Sequence, residues 1–163
     1  MKPPPRVPAM DKAYRLLAGR PHSQKELEAK LAQRGYTPQE IDAVVSRLLE
    51  LKYIDDGQYC RRFAENRLAR MNIGSARMRM DLAAKGFDHG LVDRTINELY
   101  TDEQKELIIA RSAAAKKLRS LKPGLDERAV RKKLYDHLSR KGFSGDLARQ
   151  VALGGLDELK DLG

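Results

Sequence analysis

Three helix endings constrain this chain more than any other feature. The segments Leu27 to Tyr36, Met78 to Phe87 and Leu134 to Phe143 each end in Gly followed by an aromatic residue. In each, an apolar residue stands eight before the Gly (Leu27, Met78, Leu134) and a Leu four before it (Leu31, Leu82, Leu138). A basic residue precedes the Gly every time: Arg34, Lys85 and Lys141. A Gly just past a helix takes the left-handed conformation that other residues enter only at a cost. The aromatic then folds back on the helix, pairing Tyr36 with Leu31, Phe87 with Leu82 and Phe143 with Leu138. The basic residue is expected to face the negative end of its own helix dipole. One such ending is an ordinary helix stop, but three with matching Leu positions indicate a repeat.

Capping signals place the rest. A first helix is expected over Met10 to Ala18, stopped by Gly19-Arg20-Pro21. Ser23 to Glu26 and Thr37 to Glu40 read as capping boxes, and Thr101 to Gln104 as a third. Ile41, Val44, Val45, Leu48 and Leu49 mark one helical face, and Val92, Ile96 and Leu99 after the second Gly match Ile41, Val45 and Leu48. Asp55-Asp56 opens a helix running to about Met71, and Ser75, Asp88, Asp126 and Ser144 begin others. Pro123-Gly124 ends the long helix that starts near Thr101. Gly154-Gly155 interrupts the last helix, leaving room for one further turn. The expected fold is all-α: three tandem three-helix repeats forming an elongated, curved helical array. Its parts are a disordered Pro-rich start (1–9) and repeats at 10–54, 55–100 and 101–163. Units this small are not expected to hold independent cores, so each should pack on its neighbour.

The chain of 163 residues carries a formal net charge of +9, which points to an anionic partner. Six arginines, Arg61, Arg62, Arg67, Arg70, Arg77 and Arg79, crowd the second repeat, followed by Lys85. A second cluster includes Lys116, Lys117, Arg131, Lys132, Lys133 and Lys141. Aligned across the repeats, these side chains would form a stripe for phosphate or carboxylate. The competing reading is a set of solvated helix faces. The only Cys, Cys60, lies near Tyr59 and Phe63 and reads as a buried, inert thiol in a reducing compartment, the cytoplasm. His22, His89 and His137 have no metal-ligand spacing and are expected in surface or capping roles. Asp55-Asp56 reads as a cap rather than a catalytic pair. No nucleotide-binding or nucleophile motif is present, no metal or cofactor is expected, and no stretch is long and apolar enough for a membrane.

Three motifs carry a family resemblance. They are Ser23-x-x-Glu26-Leu27-x-x-Lys30-Leu31-x-x-Arg34-Gly35-Tyr36; Tyr53-Ile54-Asp55-Asp56-x-x-Tyr59 with Phe63 and Arg67; and Gly74-x-x-Arg77-Met78-Arg79-x-x-Leu82-x-x-Lys85-Gly86-Phe87. Together they resemble the RecX family of bacterial RecA regulators, with Met78 where the family usually has another aliphatic residue. The resemblance implies a non-enzymatic protein of three three-helix repeats. It implies binding in the groove of the RecA–DNA filament and inhibition of recombinase, ATPase and co-protease activities in recombination and repair. The implied partners are the RecA filament and the DNA phosphate backbone, single-stranded DNA within the filament being the expected form, with the protein acting as a monomer. Two alternatives remain open on the residues alone: a sequence-independent helix-turn-helix DNA-binding protein, and a helical adaptor for an acidic protein.

Overall fold

The computed structural model describes residues 7–162. The expected disorder of the Pro-rich start falls largely on residues 1–6, outside the described residues. The helices are α1 (Ala9–Gly19), α2 (Gln24–Ala32), α3 (Pro38–Glu50), α4 (Asp56–Met71), α5 (Ser75–Ala84), α6 (His89–Leu99), α7 (Glu103–Arg119), α8 (Glu127–Arg140), α9 (Gly145–Leu153) and α10 (Leu156–Lys160). No strand occurs among the described residues.

Each group of helices closes around its own core, contrary to the expectation of shared cores. Leu27, Leu31, Val45 and Leu48 are buried among α1–α3. Cys60, Met78, Leu82, Val92 and Ile96 fill α4–α6. Ala110, Ala113, Ala114, Leu134, Leu138 and Val151 fill α7–α9, with Leu159 of α10 added. The alanines let α7 lie close against its neighbours, and the turn after Gly155 brings Leu159 over them. That extra turn covers apolar surface that a fourth unit would otherwise have to cover.

The three Gly corners form as their spacing requires. Gly35, Gly86 and Gly142 sit at φ 79°, 79° and 84°. The Tyr36 amide donates to Leu31 O (3.3 Å) and the Phe143 amide to Leu138 O (3.2 Å), closing the helix ends. Thr37 and Glu40 complete a reciprocal capping box. Ser23 caps α2, but the Glu26 carboxylate turns away to Arg20 (3.0 Å) instead of closing a box. Two caps differ from expectation. Gly74, not Ser75, precedes α5, and Asp102, not Thr101, caps α7 by accepting from the Lys105 amide. The α7 helix also stops at Arg119, before Pro123-Gly124.

The units join in series through one arrangement used twice. At the first junction the Ser23 hydroxyl donates to Lys85 O, and the Gln24 amide donates to the Asp56 carboxylate (2.9 Å). At the second, the Gly74 amide donates to Lys141 O (2.9 Å), and the Ser75 amide to the Glu106 carboxylate (2.8 Å). In both, the start of the middle helix of one unit rests on the Gly corner of the next. A Cβ on Gly86 would lie 2.9 Å from Lys25 Cβ. One on Gly142 would collide with the Arg77 backbone, and one on Gly74 with Gly142 O. The corner glycines therefore serve twice, allowing the left-handed turn and admitting the neighbouring helix.

Gly35 has the same backbone conformation but open space around its missing Cβ. Gly35→Ala should cost about 1 kcal/mol, the left-handed penalty alone. Gly142→Ala should cost about 2–4 kcal/mol, because overpacking at the junction is added. Urea denaturation of the two variants measures the difference, and equal losses would show that the junction does not need the glycine.

Candidate functional site

The structure divides the expected basic stripe into paired and unpaired charges. In the second unit Arg61 meets Glu98 (3.0 Å), Arg67 and Arg77 share Asp81 (2.8 and 3.0 Å), and Arg79 pairs with Asp93. The Asp81 carboxylate is mostly covered; Arg67 holds α4 against α5 through it, and Arg77 braces it from one turn earlier in α5. Arg62 and Arg70 are exposed and have no ion-pair partner among the described residues. Lys85 lies 3.9 Å from Glu26 of the first unit and 5.4 Å above the centre of the Phe63 ring. It belongs to a junction, as does Lys141, whose ammonium donates to Met71 O at the end of α4. Lys85 and Lys141 thus reach across to other helices, whereas Arg34 alone caps its own helix end, donating to Lys30 O (2.8 Å).

The third unit holds the largest share of the uncompensated charge. Basic residues outnumber acidic ones by four in residues 101–163, against two in 7–54 and one in 55–100. Arg131 is not available to a partner: it pairs with Glu127 and donates to Ala152 O (3.0 Å) and Gly154 O (3.3 Å). It closes the end of α9 where the double glycine interrupts it. Lys132 stands on the α9 side of α8, beside Arg149 and the exposed Leu153. Lys133 stands one helical turn before His137 on the α7 side.

His137 marks where Lys117, Arg140 and Lys141 converge. Burial, with Lys141, Lys117 and Arg140 nearby, lowers its pKa from 6.5 to about 4. The Lys141 ammonium is also held below its usual range, first by burial and then by Lys116. Lys116, Lys117, Arg140 and Lys141 therefore form one positive cluster between the ends of α7 and α8. The Asn72 side chain donates to Ser112 Oγ (2.9 Å), tying the end of α4 to α7 one turn before Lys116. Arg70, in the last turn of α4, comes to the edge of the same region. The result is a concentration of guanidinium and ammonium groups at the second junction. Such a cluster can take phosphate or carboxylate oxygens with charge-assisted hydrogen bonds.

Sequence patterning missed several placements. His22 is buried rather than on the surface, its Nδ1 2.9 Å from Arg20 O. Asp55 caps α4 through the Gln58 amide (2.8 Å), but Asp56 reaches into the neighbouring unit and burial raises its pKa. Cys60, by contrast, is fully buried as expected, 3.4 Å from Thr95 Oγ1, and burial pushes its thiol up. No group of three or more potential metal-ligating His, Cys, Asp or Glu side chains occurs among the described residues. No helix among them is long and apolar enough to cross a membrane.

The depressed His137 value has a sign that can be tested. The folded chain resists a proton that the unfolded chain accepts near pH 6.5, so stability falls as pH drops from there towards about 4. The loss should be about 1–2 kcal/mol once solvent screening is counted. His137→Gln should flatten that part of the stability profile in urea denaturation at pH 7 and pH 5. An unchanged slope would place His137 outside the positive cluster.

Comparison with known proteins identifies the family and agrees with the fold. A family model described as "RecX, first three-helix domain" matches residues 9–48, and one described as "RecX, third three-helix domain" matches residues 104–152. The chain is 36% identical over 143 residues to the regulatory protein RecX of Chlorobaculum tepidum, covering 88% of this chain and 85% of that one. It is 31% identical over 158 residues to the regulatory protein RecX of Streptomyces coelicolor, covering 95% and 82%. The crystal structure of RecX from Lactobacillus salivarius superposes with a TM-score of 0.76 at 22% identity, covering 93% of this chain and 94% of that one. Two matched helical domains and full-length relatives above thirty per cent identity lead to one conclusion: this chain belongs to the RecX family of non-enzymatic regulatory proteins.

Proposed function

We propose that this chain acts as a monomer that restrains the RecA–DNA filament, with the cluster around His137 set against DNA phosphates. Family membership supports the RecA side of this reading. The observation that supports the DNA side is the convergence of Lys116, Lys117, Arg140 and Lys141 near His137, none of them in an ion pair among the described residues. A filament repeats the same protein and phosphate groups along its length. A series of three helical units, divided near residues 54 and 100, offers several weak contacts at once, which add through effective concentration. Contacts that span neighbouring protomers would oppose the rearrangements needed for ATP turnover and strand exchange, and would restrain co-protease activity by the same means.

The ion pairs in the second unit change which residues should be tested. Arg77 supports the second junction, so reversing its charge would damage the fold as well as any interface. Lys116 and Lys117 make no ion pair among the described residues. Lys116→Glu combined with Lys117→Glu should raise the concentration needed to inhibit RecA ATPase on single-stranded DNA at least tenfold. Removing two phosphate contacts should also lower the magnitude of the salt slope of filament binding by about 1.5–2. Arg61→Ala with Arg79→Ala, which removes exposed pairs, should change inhibition less than twofold. Full inhibition by the double Lys variant would remove the cluster from the interface. Tighter binding to naked duplex than to RecA-coated single strands would favour the simple DNA-binding alternative.

A further inference from the structure

A cleft of about 510 Å³ lies where the first unit meets the second, away from the cluster around His137. Its walls come from α1, the α1–α2 and α3–α4 connections and the first turns of α4, with Tyr14, Leu17, Tyr53 and Tyr59 among the lining residues. The connection turns through Lys52 at φ 57°, a left-handed conformation that a residue with a side chain enters at a cost. That turn sends Ile54 into the core, 3% exposed, and leaves Tyr53 at the surface, 59% exposed. The Tyr53 ring is nonetheless fixed, edge-on to Tyr14 with centroids 5.2 Å apart. Tyr59 is held in the same way against Phe87 (5.4 Å). Rigid tyrosines provide a large contact area at low entropic cost.

The charges around the cleft favour one sign of ligand. Lys52 and Arg62 line it, are exposed, and have no ion-pair partner among the described residues. The lining carboxylate, Asp55, is already engaged by the Gln58 amide (2.8 Å). We infer that this cleft docks an acidic segment of a partner protein, taking one large apolar side chain between Tyr14, Tyr53 and Leu17 while Lys52 and Arg62 meet the flanking carboxylates. A nucleobase fits less well. Stacking needs parallel faces, whereas Tyr14 and Tyr53 cross at 68°, and Leu17, Ala18, Pro21 and Ile54 offer aliphatic walls. The inference extends the reading above and rests on it only for the source of the segment.

The test is an NMR titration of the full, ¹⁵N-labelled chain with two ten-residue peptides of Glu and Ser that differ only in a central Phe or Ala. The Phe peptide should shift the amide signals of Tyr53, Gln58 and Arg62 and bind at least tenfold more tightly than the Ala peptide. Tyr53→Ala and Arg62→Glu should each abolish this, with thermal melts confirming that the folds persist. Arg62→Lys should retain binding. Equal affinity for the two peptides would overturn the inference. So would a deoxythymidine decamer that moves the same signals at lower concentration, because the cleft would then read bases. If Tyr53→Ala still bound the Phe peptide as tightly as the parent chain and inhibited RecA ATPase fully, this inference would fall and the proposed function would stand.

Discussion

The starting amides of a helix have no partners within the helix and must find them elsewhere. This chain solves that problem between units. The first residues of α2 and α5 give their donors to a carbonyl and a carboxylate of the following unit, and in each case the carbonyl belongs to the residue before a corner glycine. Each bond contributes about 1 kcal/mol net and somewhat more where the acceptor is charged. Leaving such a buried donor unmade would cost about as much again or more. The bond directions also fix the angle between units, which contact between smooth apolar faces would leave less defined.

Separate cores and polar junctions divide the work. Each unit is stabilised by its own buried leucines, methionine or alanines, and the junctions set how the units follow one another. A regulator that touches a long polymer at several points needs that spacing to be fixed, because contacts add only when they can be made together. The same design explains why basic residues that look alike in sequence have different tasks. Arg67 ties α4 to α5 through Asp81, Arg77 braces the same carboxylate within α5, Lys85 and Lys141 serve the two junctions, and Arg131 closes α9. Lys116, Lys117 and Arg140, which make no ion pair among the described residues, gather with Lys141 at the second junction, where Asn72 and Ser112 bring the end of α4 against α7.

The sequence reading reached furthest where a rule is local. The corner glycines, the caps at Asp55, Asp88, Asp126 and Ser144, and the break at Gly154-Gly155 depend on a few adjacent residues, and they formed where expected. It fell short where a partner lies far along the chain. Asp56 looked like a cap because its bond to Gln24 spans thirty-two positions. Gly74 displaced Ser75 from the cap position because the adjoining Gly142 corner leaves no space for a Cβ. The arginines of the second unit looked free because three of their four ion pairs, Arg61 with Glu98, Arg67 with Asp81 and Arg79 with Asp93, join residues a helix apart in sequence or more. Charge clustering in sequence reports composition, whereas availability to a partner depends on the carboxylates that folding brings alongside.

Amide hydrogen exchange tests the junction most directly. The amides of Gln24, Gly74 and Ser75 stand at helix starts, where exchange is ordinarily fast, yet each donates across a junction. Glu127, at the exposed start of α8, is the internal reference. The structure predicts that the three junction amides exchange at least a hundredfold more slowly than Glu127, after correction for intrinsic rates. Exchange of all four at the same rate would mean that the junctions do not form in solution and that the three units are merely strung together.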